Sequence, residues 1–186
     1  MLILPGVNAD VRMHSHVLQQ PLAAPRGGIM LHYDDSSSDR GALEWFQDPR
    51  CSNGYTWLVL DDGRVVELAD PGMRTPHAGP CLTPNANSHF YGIAAATNGS
   101  VCVTAQQSDS IARLCVAVSR FHSWHDPRIV GHDEQAVWTS AYTARRALWG
   151  TTGRKVDPTG RRSDGVPVLD VRAMKQTVMT ILSSRP

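Results

Sequence analysis

Three stretches hold the residues best suited to chemistry. They are Gly28-Ile29-Met30-Leu31-His32-Tyr33, Ile129-Val130-Gly131-His132-Asp133-Glu134 and Arg154-Lys155-Val156-Asp157-Pro158. An imidazole inside a buried apolar strand is costly without a partner, so His32 calls for a metal or a carboxylate. His132 ends a strand-like run where a helix begins, a place that suits a ligand but, taken alone, reads first as a helix-capping or surface histidine. Pro158 biases the residue before it toward extended backbone, in which alternate side chains share a face, so Lys155 and Asp157 point the same way. Two neutral imidazoles and one carboxylate form a three-ligand zinc site with a fourth position left for water, an arrangement associated with catalysis. Zinc in such a site brings the water's pKa toward neutrality and polarises a carbonyl. A protonated Lys155 would stabilise the resulting oxyanion; taken alone it also reads as a solvated loop lysine.

The composition narrows the setting. A chain of 186 residues accommodates one domain with a real core. Apolar residues make up 41% and charged residues 19%, with 18 basic against 17 acidic side chains, which excludes a disordered tail and a nucleic-acid-binding surface of the strongly basic kind. The formal charge of +1 offers no long-range steering. Cys51, Cys81, Cys102 and Cys115 are scattered without a Cys-x-x-Cys pair, so reduced thiols are expected. Residues 1–4 are apolar but lack a basic lead and stop at Pro5-Gly6, and no apolar run reaches membrane-spanning length. The expectation is synthesis in the cytoplasm without a Sec leader, and no membrane partner.

The elements that must position these residues follow from periodicity. Residues 1–27 are broken by Pro5, Gly6, Pro21, Pro25 and Gly27-Gly28 and read as an irregular arm leading into a domain of residues 28–186. The run at 28–33 suits a buried strand. Ser36-Ser37-Ser38 offers caps for a helix with Ala42, Trp45 and Phe46 at helical spacing, stopped by Pro49. Residues 56–60 and 64–68 flank Asp61-Asp62-Gly63 as a hairpin. A Pro- and Gly-rich loop at 71–87 precedes a central strand at 90–96. Ile111, Leu114, Cys115, Val118 and Phe121 mark a helix after Ser108 and Ser110; Val137, Ala141, Ala144 and Leu148 mark another from about Glu134 to Gly150; Asp170 opens a last one through Met174, Val178 and Ile181. The fold class expected is α/β (α+β), a mixed central sheet flanked by helices.

Taken in order, these pieces resemble the zinc N-acetylmuramoyl-L-alanine amidases of the type-2 amidase and peptidoglycan-recognition-protein fold. The likeness runs from about residue 28 to residue 175. Ile29-Met30-Leu31-His32-Tyr33 resembles the first ligand strand, Trp45-Phe46-Gln47-Asp48-Pro49-Arg50 the end of the first helix, Leu60-Asp61-Asp62-Gly63-Arg64-Val65 the hairpin, and His77-Ala78-Gly79 a frequent loop signature. Val130-Gly131-His132-Asp133-Glu134 and Arg154-Lys155-Val156-Asp157-Pro158 resemble the second and third ligand segments.

The resemblance implies a zinc ion held by His32, His132 and Asp157, with Lys155 near the scissile carbonyl. Gly54-Tyr55-Thr56-Trp57 is similar to the phage-lysozyme branch, which makes Tyr55 a second catalytic candidate. His77 is implied as a substrate-side group or one behind the ligands, and Thr56, where many members carry His, as a substrate-side position. Many members also carry a catalytic Glu where this chain has Ala94, which leaves proton transfer to Tyr55, Lys155 or the water. The segment between His132 and Asp157 is longer than usual, with a helical insertion. Its Trp138 and Trp149 either pack or line a sugar groove, and Trp45 and Trp57 are expected in the core. The implied activity is hydrolysis of the muramoyl–L-alanine amide of peptidoglycan by a monomeric, phage endolysin-like enzyme that reaches the wall after release, for example through a holin. A peptidoglycan-binding protein that does not cut, and a cytoplasmic muropeptide-recycling amidase, are the alternatives.

Overall fold

The strands β2 (Gly28–Tyr33), β3 (Trp57–Val59) and β5 (Phe90–Ala95) are buried along their whole length, so both faces of the sheet they form must be covered. The computed structural model describes residues 9–12, 19–136, 157–158, 164 and 166–184. With β1 (Val11–Arg12), β4 (Val65–Glu67) and β6 (Ile129–Gly131), these strands form a six-stranded mixed sheet in the order β1-β4-β3-β5-β2-β6. Only the β3–β4 hairpin is antiparallel. Its turn places Gly63 at φ +85°, a conformation open to glycine at little cost.

One face is an unbroken apolar layer. Ile29, Leu31, Trp57, Val59, Tyr91 and Ile93 pack against α3 (Ala105–Phe121) and α5 (Val171–Ser183), which bring Ile111, Leu114, Cys115, Val118, Met174 and Val178. The other face is covered in two patches. Ala42 and Phe46 of α1 (Asp39–Gln47) close over Leu58, Leu60, Val66 and Ala94, while Ala78 and Ala86 close over Met30 and Phe90. His32 shares this second face with Met30 by strand alternation, and its register partner is Ala94 of the other patch. It therefore stands at the seam where the apolar cover is divided.

Several sequence expectations are corrected. The arm is not wholly irregular: β1 adds a parallel edge strand to β4, and Gln20 bridges Arg74. Trp45 is 43% exposed, because Ala42 and Phe46, four apart, define the buried stripe of α1 and Trp45 points off it; Trp57 is fully buried as expected. The cap of α3 is Thr104, ahead of Ser108 and Ser110, since Thr104 and Gln107 form a reciprocal capping box. The loop after β4 contains a short helix, α2 (Ala86–His89). A short helix, α4 (His132–Gln135), ends before Ala136, whose extended backbone bridges Cys81, and residues 137–150 of the helix expected from Glu134, with Trp138 and Trp149, lie outside the described residues. No disulfide joins Cys51, Cys81, Cys102 or Cys115. No described helix is long and apolar enough to cross a membrane.

Gln107 links the capping box to the sheet. Its Oε1 accepts from Thr104 N, and its Nε2 donates to the carbonyls of Val59 and Ala96 at 3.1 and 3.2 Å, all without solvent exposure. Removing a buried group with three partners leaves polar atoms unsatisfied, whereas removing the Thr104 hydroxyl costs two solvent-accessible bonds, one from Gln107 N and one to the Asp61 carbonyl. Gln107→Ala is expected to lower unfolding free energy by about 2–4 kcal/mol and Thr104→Ala by about 1 kcal/mol, read by urea denaturation.

Candidate metal centre

Three backbone segments bring the site together at the C-terminal ends of the parallel strands β2 and β6. Residue 32 is fixed by the ladders that β2 makes with β5 on one side and β6 on the other. β6 runs directly into α4, so His132 is the first helical residue, and Glu134 turns back to accept from Gly131 N at 2.8 Å. The third segment is tied on by Asp133 N donating to the Asp157 carbonyl at 2.7 Å and Leu169 N donating to the Pro158 carbonyl at 3.2 Å. Gly131 permits this approach, since a Cβ there would lie 2.9 Å from Pro158 Cδ.

The side chains converge. His32, His132 and Asp157 are 0%, 4% and 3% exposed, and one ligand atom from each lies within 4.8 Å of the others. Asp157 Oδ2 lies 2.9 Å from His32 Nδ1 and 3.2 Å from His132 Nδ1, while Asp157 Oδ1 accepts from Tyr33 N at 2.6 Å. A carboxylate oxygen has no hydrogen to offer, so each ring nitrogen facing it must carry a proton or share a cation with it. Two imidazoles and a carboxylate in this disposition fit Zn²⁺, whose preferred ligands are nitrogen and oxygen donors of this kind.

The remaining candidates fall around this triad. His77, 7% exposed, lies behind His32: its Nδ1 is 3.1 Å from His32 Nε2 and its Nε2 3.2 Å from the Phe90 carbonyl. Burial, reinforced by His32, His132 and Arg26, holds its pKa well below the ordinary imidazole value. Tyr55 packs its ring 4.9 Å from that of His32, and its hydroxyl donates to the Tyr33 carbonyl at 3.4 Å. Desolvation, followed by the carboxylates of Asp157, Asp34 and Asp35, raises its pKa well above the usual phenol value, so it serves as a donor and not as a base. Thr56 is fully buried, and its Oγ1 has no hydrogen-bond partner among the described residues. Lys155 lies outside the described residues.

Two participants carried no signal in the sequence. The Tyr33 amide orients Asp157, a role that any residue type except proline could fill at that position. Arg26, in the arm, donates to the carbonyls of Phe90, Asn87, Pro71 and Met73 and stacks its guanidinium 4.3 Å from the centre of the Tyr91 ring. Burial lowers its pKa to about 10, so it remains charged at neutral pH.

Residues 23–160, which include the whole triad, match the N-acetylmuramoyl-L-alanine amidase family, Amidase_2. The chain belongs to this family. No curated protein matches it. Among solved structures, the amidase fold seen here is similar to a selenomethionine derivative of AmpD, at 18% identity and a TM-score of 0.66 over 98% of this chain and 99% of that one. It is also similar to the Ph2119 endolysin from a Thermus scotoductus bacteriophage, at 15% identity and 0.51 over 89% and 92%. A third likeness is to peptidoglycan recognition protein-LE in complex with tracheal cytotoxin, a monomeric diaminopimelic acid-type peptidoglycan, at 16% and 0.52 over 68% and 79%. At these identities the likeness is one of fold. The mixed α/β architecture expected from the sequence is the one observed, and the metal dependence typical of Amidase_2 members has a place in the His32, His132 and Asp157 cluster.

Asp34, two residues past His32, accepts from Ser36 N and Thr97 N through Oδ1, while its buried Oδ2 has no hydrogen-bond partner among the described residues. Burial pushes its pKa up to about 6 from 3.8. A carboxyl whose folded pKa is raised favours the fold when protonated. That contribution is complete below pH 3.8 and lost as pH rises through about 6. Asp34→Asn keeps an acceptor for both amides and removes the loss. In the metal-free protein it is expected to be more stable than the parent by on the order of 1–2 kcal/mol at pH 7.5, a difference that vanishes near pH 3.5 in thermal unfolding.

Proposed function

We propose that this chain is a zinc-dependent hydrolase of the amide bond between N-acetylmuramic acid and L-alanine in peptidoglycan, with His32, His132 and Asp157 as metal ligands. The observation that carries the reading is the closure of one carboxylate oxygen onto two buried imidazole nitrogens at 2.9 and 3.2 Å, in a chain of the amidase family. Zinc in this triad supplies a Lewis acid that polarises the amide carbonyl and activates water.

The chain's own groups account for the rest. Asp157 is oriented by Tyr33 N, leaving Oδ2 for the cation. Tyr55, beside His32 and protonated, donates a hydrogen bond toward the reacting amide or a proton to the departing alanine nitrogen. Lys155, two residues before Asp157 in sequence, is assigned to the oxyanion. Ala94 is buried on β5 opposite His32, so no carboxylate reaches the site from that position.

A binding protein that does not cut is the second reading, since a peptidoglycan recognition protein shares the fold. The complete triad favours hydrolysis, because a binder has no need of an open metal position. The cell-wall-lytic role of an endolysin is proposed over muropeptide recycling, in line with the fold shared with the Ph2119 endolysin over 89% of this chain.

Purified sacculi incubated with the zinc-loaded protein are expected to release free stem peptides with a new L-alanine amino terminus, and chelator is expected to stop the release. Intact sacculi are expected to be cut faster than soluble anhydro-muropeptide; the reverse preference would assign a recycling role. Asp157→Ala should lose bound zinc and lysis together. Lys155→Ala should keep the zinc and lose about 10²–10³ in rate. Tyr55→Phe should fold normally and lose at least about tenfold in turnover. Full rates in the last two variants would move proton transfer and oxyanion stabilisation to other groups.

A further inference from the structure

A carbonyl oxygen only accepts, so the contact between the Phe90 carbonyl and His77 Nε2 at 3.2 Å places a hydrogen on that nitrogen. Arg26 donates to the same carbonyl, which brings a guanidinium cation close to His77. A buried imidazole beside a fixed cation, with His32 and a backbone carbonyl as its partners, is neutral. Its Nδ1 is then a lone-pair acceptor, and the 3.1 Å contact from His32 Nε2 places a hydrogen on that atom too. In a His32 that binds a metal as a neutral ring, the remaining nitrogen, Nδ1, offers the lone pair, and it is this atom that faces Asp157 Oδ2 at 2.9 Å.

We propose that His77 is a positioning residue for the metal: anchored on the Phe90 carbonyl and backed by Arg26, it selects the His32 tautomer in which Nδ1 is the ligand atom. The inference rests on the zinc reading above. It goes beyond it by giving His77 a role without substrate contact and by tying the N-terminal arm, through Arg26, to the state of a metal ligand. The packing agrees, for a Cβ at position 92 would lie 2.8 Å from His77 Cγ, so Gly92 leaves the ring the space in which it reaches both partners. Metal-ligating histidines are commonly fixed in this way by an acceptor on the far ring nitrogen.

The test compares His77→Ala, which removes the acceptor, with His77→Gln, whose amide oxygen can accept from His32 and whose amide nitrogen can donate to Phe90. Zinc affinity is measured by competition with a chromophoric chelator, and the His32 tautomer by ¹⁵N NMR. His77→Ala is expected to weaken zinc binding by about 10–100-fold, with His77→Gln recovering most of it. In wild-type protein His32 is expected with its hydrogen on Nε2. A His77→Ala variant whose zinc affinity stays within about threefold of wild type would overturn the proposal, as would a His32 with its hydrogen on Nδ1 in the zinc-loaded protein. Should His77→Ala fail to fold, the Gln variant and the wild-type spectrum decide the matter. A wild-type protein without zinc affinity would end the metal reading, and its His32 tautomer would then judge the hydrogen-bond chain by itself.

Discussion

The site depends on one buried carboxylate. Asp157 is 3% exposed and presents Oδ2 to two imidazole nitrogens while Oδ1 is held by a backbone amide. Burying a carboxylate is expensive unless it is paired and hydrogen-bonded, so the imidazoles of His32 and His132 and the Tyr33 amide must stay in place around Asp157. On the zinc reading proposed above, a divalent cation shared by the same three side chains would couple ion binding to the stability of the surrounding fold.

The sheet makes room for this cluster by dividing its apolar cover. On the face toward α3 and α5 one large apolar cluster covers the sheet, and the buried polar groups of α3, such as Gln107 and Ser119, bond to backbone carbonyls. On the opposite face two separate patches, one under α1 and one under the loop at Ala78 and Ala86, leave His32 between them. Tyr55 belongs to the rim of the first patch and packs its tilted ring against His32. His77 precedes Ala78 of the second and closes the site from behind. The polar site is thus the seam between two small cores, supported from below by one large one.

The N-terminal arm contributes more than an edge strand. Arg26 gathers carbonyls from β5, from the residues before it and from the turn after β4. These are the segments that frame His77. A buried guanidinium with several acceptors holds irregular backbone in place where the regular ladder does not reach.

The sequence by itself determined most of the elements and the candidate ligands. Alternation and apolar runs located β2, β3, β4 and β5, Ser38 and Asp170 marked helix starts, and the unusual burial of His32 in an apolar strand, together with the family likeness, pointed to His132 and Asp157. These signals are local, since each depends on residues a few positions apart. Tertiary structure decided what spans the fold: that Trp45 faces outward, that residues 11–12 pair with β4, that the Tyr33 amide orients Asp157, and that His77 lies behind His32 against Phe90. Backbone donors and acceptors are alike at every residue, so nothing in the order of side chains reveals which of them a distant carboxylate or imidazole will meet.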